Sequence, residues 1–378
     1  MVNIYSNLPT RERGVAKTAR RVPAFDGIRA LAAIAVLLYH FEGLPTRTFR
    51  YLAGGGWYGV DVFFVLSGFL ITRLLVSELE DSGVISLRRF YTRRALRLYP
   101  AFISAIIIAT ITAFLTWTRP FGWQVAYLFT YVQNVWLAFA FNPAMSSSIV
   151  MWPAWSLCIE EQFYLLWPLA LRRVGAATAT PMLCGVVAIS ILARIACYFL
   201  IPHVWSQSHI VGNHAEAFIY YFTLTRLDSI GIGCILSLCI DRFAKRPWLY
   251  SSKALWTYAV CVIVLILFGT HCKPFYYTVG SAIVALAVGV FVTAIWLGAT
   301  NSVSRILSAE PLVEIGRVSY GIYLFQTIPV HWLLRHIVVG YLHWLVWIVF
   351  IVAIAEGHYR LVEKYFLSLG GSRPLGRP

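Results

Sequence analysis

The sequence predicts an all-α membrane protein, a polytopic bundle of transmembrane helices, and three observations support this prediction. Of the 378 residues, 59% are hydrophobic and only 12% are charged, too few charges to cover the surface of a soluble domain of this size. The apolar residues come in blocks of about 17–22, long enough to cross a ~30 Å hydrocarbon core as helices. The 14 Trp and 21 Tyr fit two interfacial aromatic belts. The lipid bilayer is therefore the first expected partner.

We predict about ten spans, and the distribution of Lys and Arg orients them. The predicted spans are 24–42, 58–76, 99–117, 155–171, 181–200, 222–240, 254–270, 278–298, 315–335 and 340–357. The apolar segment Gly122–Phe139 is interpreted as an interfacial or re-entrant helix because Gln124, Gln133 and Asn134 interrupt it. With that assignment, 22 of the 31 Lys and Arg lie on the side of both termini, and five lie on the other side. The positive-inside rule then predicts cytoplasmic N and C termini.

The chain is expected to form one membrane domain over residues 21–366. A disordered cytoplasmic N-terminus at 1–20 and a cytoplasmic tail at 367–378 flank it. The basic stretch Leu87–Leu98 is predicted to lie along the inner surface as an amphipathic helix before the third span. This topology explains the net charge of +15 without a nucleic-acid partner. The seven Cys lie almost entirely within apolar blocks, so we expect no disulfide framework and no metal site.

Charged residues in the first span form a candidate site, because charge inside a membrane is unfavourable unless it is paired or hydrated. Asp26 precedes Arg29 by three residues and can pair with it. Arg29 and His40 are eleven residues apart, which places them on one helix face about 16 Å apart along the axis. A structural ion pair with an interfacial histidine would produce the same spacing, so the spacing alone leaves both interpretations open.

Other polar residues are predicted to lie with His40 in the outer half of the bundle. They are Asp61, Glu160, Glu161, Arg226 and Asp228. Glu160 and Glu161 are adjacent and point about 100° apart, so both cannot face one cavity squarely. Arg226 can form a structural pair with Asp228 or another acid. A buried histidine near carboxylates suits a general base and equally suits a proton-coupled transporter.

An arginine group is predicted at the inner end of the second and third spans. Its members are Arg73, Arg89, Arg93, Arg94 and Arg97. Arginine clusters suit multivalent phosphate, because each guanidinium can donate two parallel hydrogen bonds. Retention of positive charge on the inner side explains the group equally well without a ligand.

Six motifs occur in order along the chain and carry a family resemblance. They are RVPAFDGIRALAAIAVLLYH at 21–40, GVDVFFVLSGFLITRLL at 59–75, FYTRRALRLYP at 90–100, WSLCIEEQFYLLWP at 155–168, TRLDSIGIG at 225–233 and IGRVSYGIYLF at 315–325. Through them the chain resembles, from about residue 22 to 366, the acyltransferase-3 family of bacterial integral-membrane O-acyltransferases. Each motif alone is modest, and all six in order are highly specific.

The resemblance implies that an acyl group, usually acetyl, passes from cytoplasmic acyl-CoA to a hydroxyl group of a carbohydrate or glycolipid acceptor. Acetyl-CoA is the implied co-substrate, and the bacterial inner membrane is the implied location. A proton-coupled transporter of a small acylated or glycosylated compound is the alternative function.

The resemblance also implies roles for individual residues. The family's Arg-to-His signature falls on Arg29 and His40, which makes His40 the general base or a transient acyl carrier. The family's paired glutamates fall on Glu160 and Glu161, one of which would orient His40. Asp26 joins this catalytic group through its pairing with Arg29.

The remaining implied roles concern binding. The arginine motif falls on Arg93, Arg94 and Arg97, which would hold CoA phosphates. Arg73 and Arg29 are also assigned to cofactor binding, and Arg29 would either stabilise the developing oxyanion or hold the pantetheine arm. Ser67 and Gly68 match a small-residue element that permits close helix approach. The residues assigned to the acceptor are Asp61, Trp155, Tyr164, Arg226 and Asp228.

One position departs from the family pattern. Members commonly carry a histidine after the YLF or YLW element near the ninth span, where this sequence has Gln326. Glutamine can hydrogen-bond but cannot transfer a proton at neutral pH. The histidine is therefore dispensable, or the activity is shifted, or the chain is a catalytically inactive interaction subunit.

Overall fold

A computed structural model describes residues 22–40, 46–115, 122–140, 151–201, 214–298, 300–326 and 343–369. Every regular element in these ranges is helical. The N-terminus predicted to be disordered (1–20) and residues 370–378 of the predicted tail lie outside the described residues.

Long helices are joined by one or more shorter helices. In the N-terminal half they are α1 (Pro23–Tyr39), α2 (Arg47–Ala53), α3 (Tyr58–Ser82), α4 (Leu87–Leu115), α5 (Gly122–Phe129), α6 (Gln133–Ala140) and α7 (Trp155–Leu200). In the C-terminal half they are α8 (His214–Tyr221), α9 (Leu227–Leu238), α10 (Ile240–Ala244), α11 (Ser252–His271), α12 (Ser281–Leu297), α13 (Ser302–Leu307), α14 (Glu310–Arg317), α15 (Ser319–Phe325), α16 (His343–His358) and α17 (Lys364–Leu369). Tighter or wider helical turns connect several of them, at Gly54–Trp57, Trp152–Ala154, Thr223–Arg226, Pro247–Tyr250, Lys273–Gly280 and Tyr359–Glu363.

Six helical stretches among the described residues are long and apolar enough to cross a membrane. They are Gly54–Ser82, Leu87–Thr112, Trp155–Leu200, Ser252–His271, Lys273–Leu297 and His343–Leu369. The helices α1 and α9 are shorter, at 17 and 12 residues, and the predicted span 315–335 runs into residues outside the description. The protein is a multi-pass membrane protein, whereas the count of ten spans and the cytoplasmic termini stay predictions.

The predicted boundary between a surface helix and a span after Leu98 is wrong. Helix α4 runs without interruption from Leu87 to Leu115, with Pro100 inside it. The residues before Pro100 are mostly strong helix formers such as Arg, Leu and Ala. A single proline removes one backbone hydrogen bond, which membrane helices tolerate through local adjustment. The arginines of α4 therefore lie on the first turns of a helix that continues into the bundle.

Two other segments change direction at residues with positive φ. The 46-residue helix α7 covers two predicted spans, and it would be about 69 Å long if it were straight. It bends sharply at Gly175, where φ is 73° and ψ is 165°, a conformation that requires glycine. The segment predicted to be interfacial or re-entrant breaks at Tyr131, where φ is 53°. The break leaves α5 and α6 with eight residues each, too short to cross a bilayer.

Glycines bring α3 into backbone contact with α1 on one side and α9 on the other. A Cβ atom at Gly68 would overlap the backbone oxygen of Ile230 in α9. This contact agrees with the close helix approach predicted for Gly68. A Cβ at Gly59 would meet the backbone oxygen of Ala32, and one at Gly56 would overlap that of Ala35. Because residue numbers fall along α3 as they rise along α1, the two helices are antiparallel.

The other side of α1 is packed against the helices that follow α12. A Cβ at Gly27 would overlap the backbone of Leu307 in α13, and one at Gly316 in α14 would overlap the backbone of Asp26. Helix α15 then continues along α1 and also contacts α4 and α16. Helix α1, which carries Asp26, Arg29 and His40, is therefore enclosed in the bundle.

Candidate active site

Charged and hydroxyl side chains from four helices meet along α1. We call this group the arginine–glutamate cluster; it consists of Asp26 and Arg29 from α1, Ser67 from α3, Arg94 and Arg97 from α4, and Glu160 and Tyr164 from α7. All of its members except Ser67 were assigned to a site from the sequence.

Two hydroxyl groups hold the carboxylate of Glu160. Ser67 Oγ donates to Glu160 Oε1 at 2.8 Å, and Tyr164 OH lies 3.3 Å from Glu160 Oε2. Tyr164 OH also donates to Ser67 Oγ at 3.0 Å. Tyr164 follows Glu160 by four residues on α7, so the two side chains share a helix face. This arrangement fixes the orientation of a half-buried carboxylate in the interior of the bundle.

The arginines surround that carboxylate. The Arg29 Nη1 atom contacts Asp26 Oδ1 at 3.1 Å, as the spacing on α1 predicts. The Arg94 guanidinium carbon lies 4.8 Å from the centre of the Tyr164 ring, and Arg94 and Arg29 both attract the charge of Glu160. Arg97 is accessible to solvent and lies close enough to Arg29 and Arg94 to repel both.

Unpaired guanidinium groups make the cluster suitable for an anion with several charges. Among the described residues, Arg29 is the one of the three arginines that forms an ion pair, with Asp26, so the hydrogen-bond donors of Arg94 and Arg97 remain open to a ligand. Glu161 interacts with Glu160 and Arg94 and also lies near tyrosines of other segments, Tyr99 and Tyr131. Of the other predicted phosphate ligands, Arg93 is exposed, whereas Arg73 on α3 is 9% exposed.

His40 lies at the opposite end of α1 from this cluster, as its C-cap. Its Nδ1 atom lies 2.8 Å from the backbone oxygen of Val36. A carbonyl oxygen only accepts hydrogen bonds, so Nδ1 carries a hydrogen, and in the neutral ring Nε2 keeps a free lone pair. The side chain is exposed and its ring meets the Tyr39 ring edge to face at 5.2 Å. This tautomer can accept a proton at Nε2.

The sequence grouped Glu160 and Glu161 with His40, but the structure brings Glu160 to the arginines instead. Glu160 accepts hydrogen bonds from Ser67 and Tyr164, while the ring of His40 bonds to its own helix. The sequence could not resolve this arrangement, because it depends on the depth at which α7 crosses α3 and α4.

A second group of charges is fully enclosed, and we call Asp61, Arg194, Arg226 and Asp228 the buried ion-pair cluster. Arg226 Nη2 contacts Asp61 Oδ1 at 2.9 Å, and Arg194 Nη2 contacts Asp228 Oδ2 at 2.7 Å. All four side chains are at most 2% exposed. Ser229 donates to Asp61 at 2.8 Å, and Ser281 lies in hydrogen-bonding contact with Arg194.

The sequence left Arg226 to pair with Asp228 or another acid, and the structure pairs it with Asp61. Arg226 ends a helical turn and Asp228 lies two residues later, so their side chains point to different sides. Each instead pairs with a residue distant in sequence. Arg194 has no role in the sequence assignment, although a charged residue within a span indicates that a partner exists.

Aromatic rings complete the enclosure of Arg226. The guanidinium carbon lies 5.8 Å from the centre of the Phe64 ring, 5.9 Å from that of Trp155 and 5.5 Å from that of Tyr220. Trp155 is itself 3% exposed. Of the residues assigned to the acceptor from the sequence, Asp61, Trp155, Arg226 and Asp228 are therefore enclosed, and Tyr164 belongs to the arginine–glutamate cluster. Their role in acceptor binding stays a prediction.

Comparison with known proteins assigns the family. A family model described as an acyltransferase domain matches residues 22–355. Peptidoglycan O-acetyltransferase OatA of Listeria monocytogenes is 34% identical over 81% of this chain and 49% of its own length. O-acetyltransferase OatA of Staphylococcus aureus is 31% identical over 91% of this chain and 57% of its own length. The putative peptidoglycan O-acetyltransferase YrhL of Bacillus subtilis is 30% identical over 81% and 48%, respectively.

The chain spans about half the length of these curated relatives. No solved structure matches it significantly. The family model covers every helix that contributes to the arginine–glutamate cluster, and His40 as well. The chain belongs to the acyltransferase-3 family.

Proposed function

We propose that the protein is a membrane O-acetyltransferase that moves an acetyl group from cytoplasmic acetyl-CoA to a hydroxyl group of an envelope carbohydrate. The observation that carries the proposal is the arrangement along α1, where an arginine-rich site and an accessible histidine occupy opposite ends of one enclosed helix. The names of the relatives point to peptidoglycan as the carbohydrate.

The arginine–glutamate cluster is the proposed site for acetyl-CoA. Phosphate groups of CoA would accept hydrogen bonds from Arg94 and Arg97, which form no ion pair with a carboxylate of the described residues. Glu160 would hold the guanidinium groups of Arg29 and Arg94 in position. Arg93 would extend the positive surface on the exposed side of α4, and Arg73 would extend it along α3. The excess of Lys and Arg on the same side supports a cytoplasmic position for this end, in the bacterial inner membrane.

His40 is the proposed general base. Its Nε2 atom would take the proton of the acceptor hydroxyl as the hydroxyl oxygen attacks the thioester carbonyl carbon. The carbon–sulfur bond then breaks, and the CoA thiolate leaves and takes up the proton from His40. The hydrogen bond from Nδ1 to Val36 supports this role, because it keeps the lone pair on Nε2. About 16 Å of helix separates Arg29 from His40, a gap that the extended pantetheine arm would bridge.

A proton-coupled transporter, the alternative function, gains no support from the relatives named above, which are all O-acetyltransferases. The two functions differ in a simple observable. A transferase consumes acetyl-CoA in proportion to the acetylated product, whereas a transporter moves a solute without consuming acetyl-CoA.

The decisive experiment measures release of free CoA and acetylation of peptidoglycan fragments by purified protein in lipid nanodiscs. We expect His40→Ala to abolish both while the protein stays folded. His271→Ala is the matched control, because His271 stacks on Tyr51 at 3.9 Å and lies on α11, away from α1. Wild-type turnover in His40→Ala would refute the role of His40, and solute flux without release of CoA would support the transporter.

Trapping with radiolabelled acetyl-CoA tests the acyl-carrier role, because a carrier would retain label on His40.

A further inference from the structure

Gln326 is a buried polar side chain whose amide group is unused. It is 3% exposed, and neither Oε1 nor Nε2 has a hydrogen-bond partner among the residues that the structure describes. A buried amide without partners destabilises a folded protein, because it has lost its hydrogen bonds to water. In a membrane protein no lipid tail can replace them. Such a group can bind a ligand without giving up a hydrogen bond within the described part of the fold.

The position of Gln326 follows from the helix that carries it. Its backbone N–H donates to Ile322 O at 3.1 Å, and its φ and ψ are helical, so it continues α15 by one residue. Tyr320 lies near the arginine–glutamate cluster, because its hydroxyl donates to the backbone oxygen of Leu98, the neighbour of Arg97, at 3.4 Å. Gln326 follows Tyr320 by six residues and therefore lies about 9 Å further along the axis of α15.

The contacts of Tyr323 give the direction of that displacement. The rings of Tyr323 and Phe63 are 6.2 Å apart, and Phe63 precedes Ser67 by one turn of α3. Moving from Ser67 to Phe63 and on to Gly59 leads toward the His40 end of α1, because α3 and α1 are antiparallel. Gln326 comes one turn after Tyr323. Along the helix axes, residue 326 therefore lies between the arginine–glutamate cluster and the level of His40.

We propose that the Gln326 amide binds a secondary amide of a substrate. Nε2 donates a hydrogen bond to the carbonyl oxygen of that amide, and Oε1 accepts one from its N–H group. The inference rests on the proposed function, in which the substrate extends between the two ends of α1. A carboxamide is complementary to another amide, because each offers one donor and one acceptor in the same plane. Two substrates can supply that amide: the pantetheine arm of acetyl-CoA and an N-acetyl group of the acceptor sugar.

Tyr323 provides the matched comparison for a stability test. Its hydroxyl donates to Pro153 O at 2.7 Å and contacts Ser156 Oγ at 2.6 Å, so it is a buried polar group with partners. In ligand-free protein we expect Tyr323→Phe to lower the melting temperature, because Pro153 and Ser156 lose a partner. We expect Gln326→Leu to leave the melting temperature unchanged or to raise it, because leucine fills similar space without an unpaired amide.

Binding measurements identify the source of the amide. Wild type and each variant are titrated with CoA and with 3′-phosphoadenosine 5′-diphosphate, which lacks only the pantetheine arm. They are then titrated with N-acetylglucosamine and glucosamine oligosaccharides of equal length. In one of these pairs, wild type should bind the ligand that carries the amide more tightly than the ligand that lacks it. We expect Gln326→Leu to reduce that ratio of dissociation constants, the preference, by about tenfold. Loss of the CoA preference assigns the amide to the donor, and loss of the N-acetyl preference assigns it to the acceptor.

Three results would overturn the proposal. They are a melting temperature of Gln326→Leu that falls as far as that of Tyr323→Phe, retention of both preferences in Gln326→Leu, and absence of both preferences in wild type. None of these measurements requires turnover. An inactive preparation that binds CoA therefore tests the proposed function separately from the role of Gln326.

Discussion

The arginine–glutamate cluster and the buried ion-pair cluster both consist mainly of arginine and acidic side chains, but they differ in ion pairing and in solvent exposure. In the buried cluster two arginines face two aspartates, every side chain is at most 2% exposed, and aromatic rings cover Arg226. In the other cluster three arginines lie near Asp26, Glu160 and Glu161, but of the three only Arg29 forms an ion pair with a described residue, and Arg97 is open to solvent. Paired and enclosed charge stabilises the arrangement of helices, whereas unpaired and accessible charge remains available to a ligand.

The difference also explains which helices each cluster joins. The buried cluster ties α3, α7, α9 and α12 together through Asp61, Arg194, Asp228 and Ser281. The arginine–glutamate cluster includes α1 and α4, whose polar residues lie on exposed or half-buried faces. We therefore expect substitutions in the first to act on folding and substitutions in the second to act on binding and turnover.

The largest expected effect comes from removing one partner of a buried pair. Arg226→Ala leaves Asp61 charged and enclosed without its cation, which should destabilise the protein by about 3–5 kcal/mol. Arg97→Ala removes the same charge from an accessible position and should leave stability nearly unchanged. Thermal unfolding in detergent and the yield of folded protein compare the two.

A double substitution sharpens this test. Replacing Asp61 by Leu and Arg226 by Met removes both charges and should recover much of the lost stability, because well-packed apolar side chains often replace a buried ion pair. Equal losses of stability in Arg226→Ala and Arg97→Ala would contradict the distinction between the two clusters.

Much of the site could be predicted from the sequence because it depends on local spacing. The pairing of Asp26 with Arg29 and the shared face of Arg29 and His40 follow from one helix. The contact between Gly68 and Ile230 follows from a preference for small residues where helices meet. These features require no knowledge of how distant helices are placed.

The features that sequence did not predict depend on the relative depth of different helices. Glu160 lies near Arg94 rather than His40, and the sequence did not decide which acid pairs with Arg226, which the structure shows to be Asp61. The sequence also did not predict the single helix Leu87–Leu115, because Pro100 and the change from basic to apolar residues are typical of a helix boundary. A pattern along one chain segment carries little information about which turn of another helix faces it.

A moderate effect is expected from Arg94, which belongs to the accessible cluster. Arg94→Ala should weaken CoA binding by about 10- to 100-fold, the range for loss of one charge-assisted hydrogen bond, and leave the fold intact. Arg89→Ala is the control, because Arg89 is an exposed arginine on the same helix that forms an ion pair with Glu78 at 3.6 Å. Titration with CoA at low and high salt makes the comparison, and equal losses in both variants would indicate a general effect of surface charge.

The smallest effects should come from the hydroxyl groups that hold Glu160. Ser67→Ala removes the hydrogen bond that Ser67 donates to the carboxylate, and Tyr164→Phe removes the one hydroxyl hydrogen that Tyr164 directs to Ser67 and Glu160, so each should reduce turnover several-fold. Because Ser67 Oγ accepts from Tyr164, the double variant should lose less than the product of the single losses. Turnover of the three variants at saturating acetyl-CoA tests this expectation.

The size of the Ser67 effect also separates two chemical roles for that residue. A hydroxyl that only orients Glu160 can be removed with a several-fold loss, and Ser67→Ala should then keep measurable acetylation of the carbohydrate. A serine that carried the acetyl group as an ester would be indispensable, since alanine has no oxygen to acylate. Residual turnover in Ser67→Ala would therefore assign Ser67 to the support of the carboxylate, and complete loss with normal CoA binding would move the acyl-transfer step from His40 to Ser67.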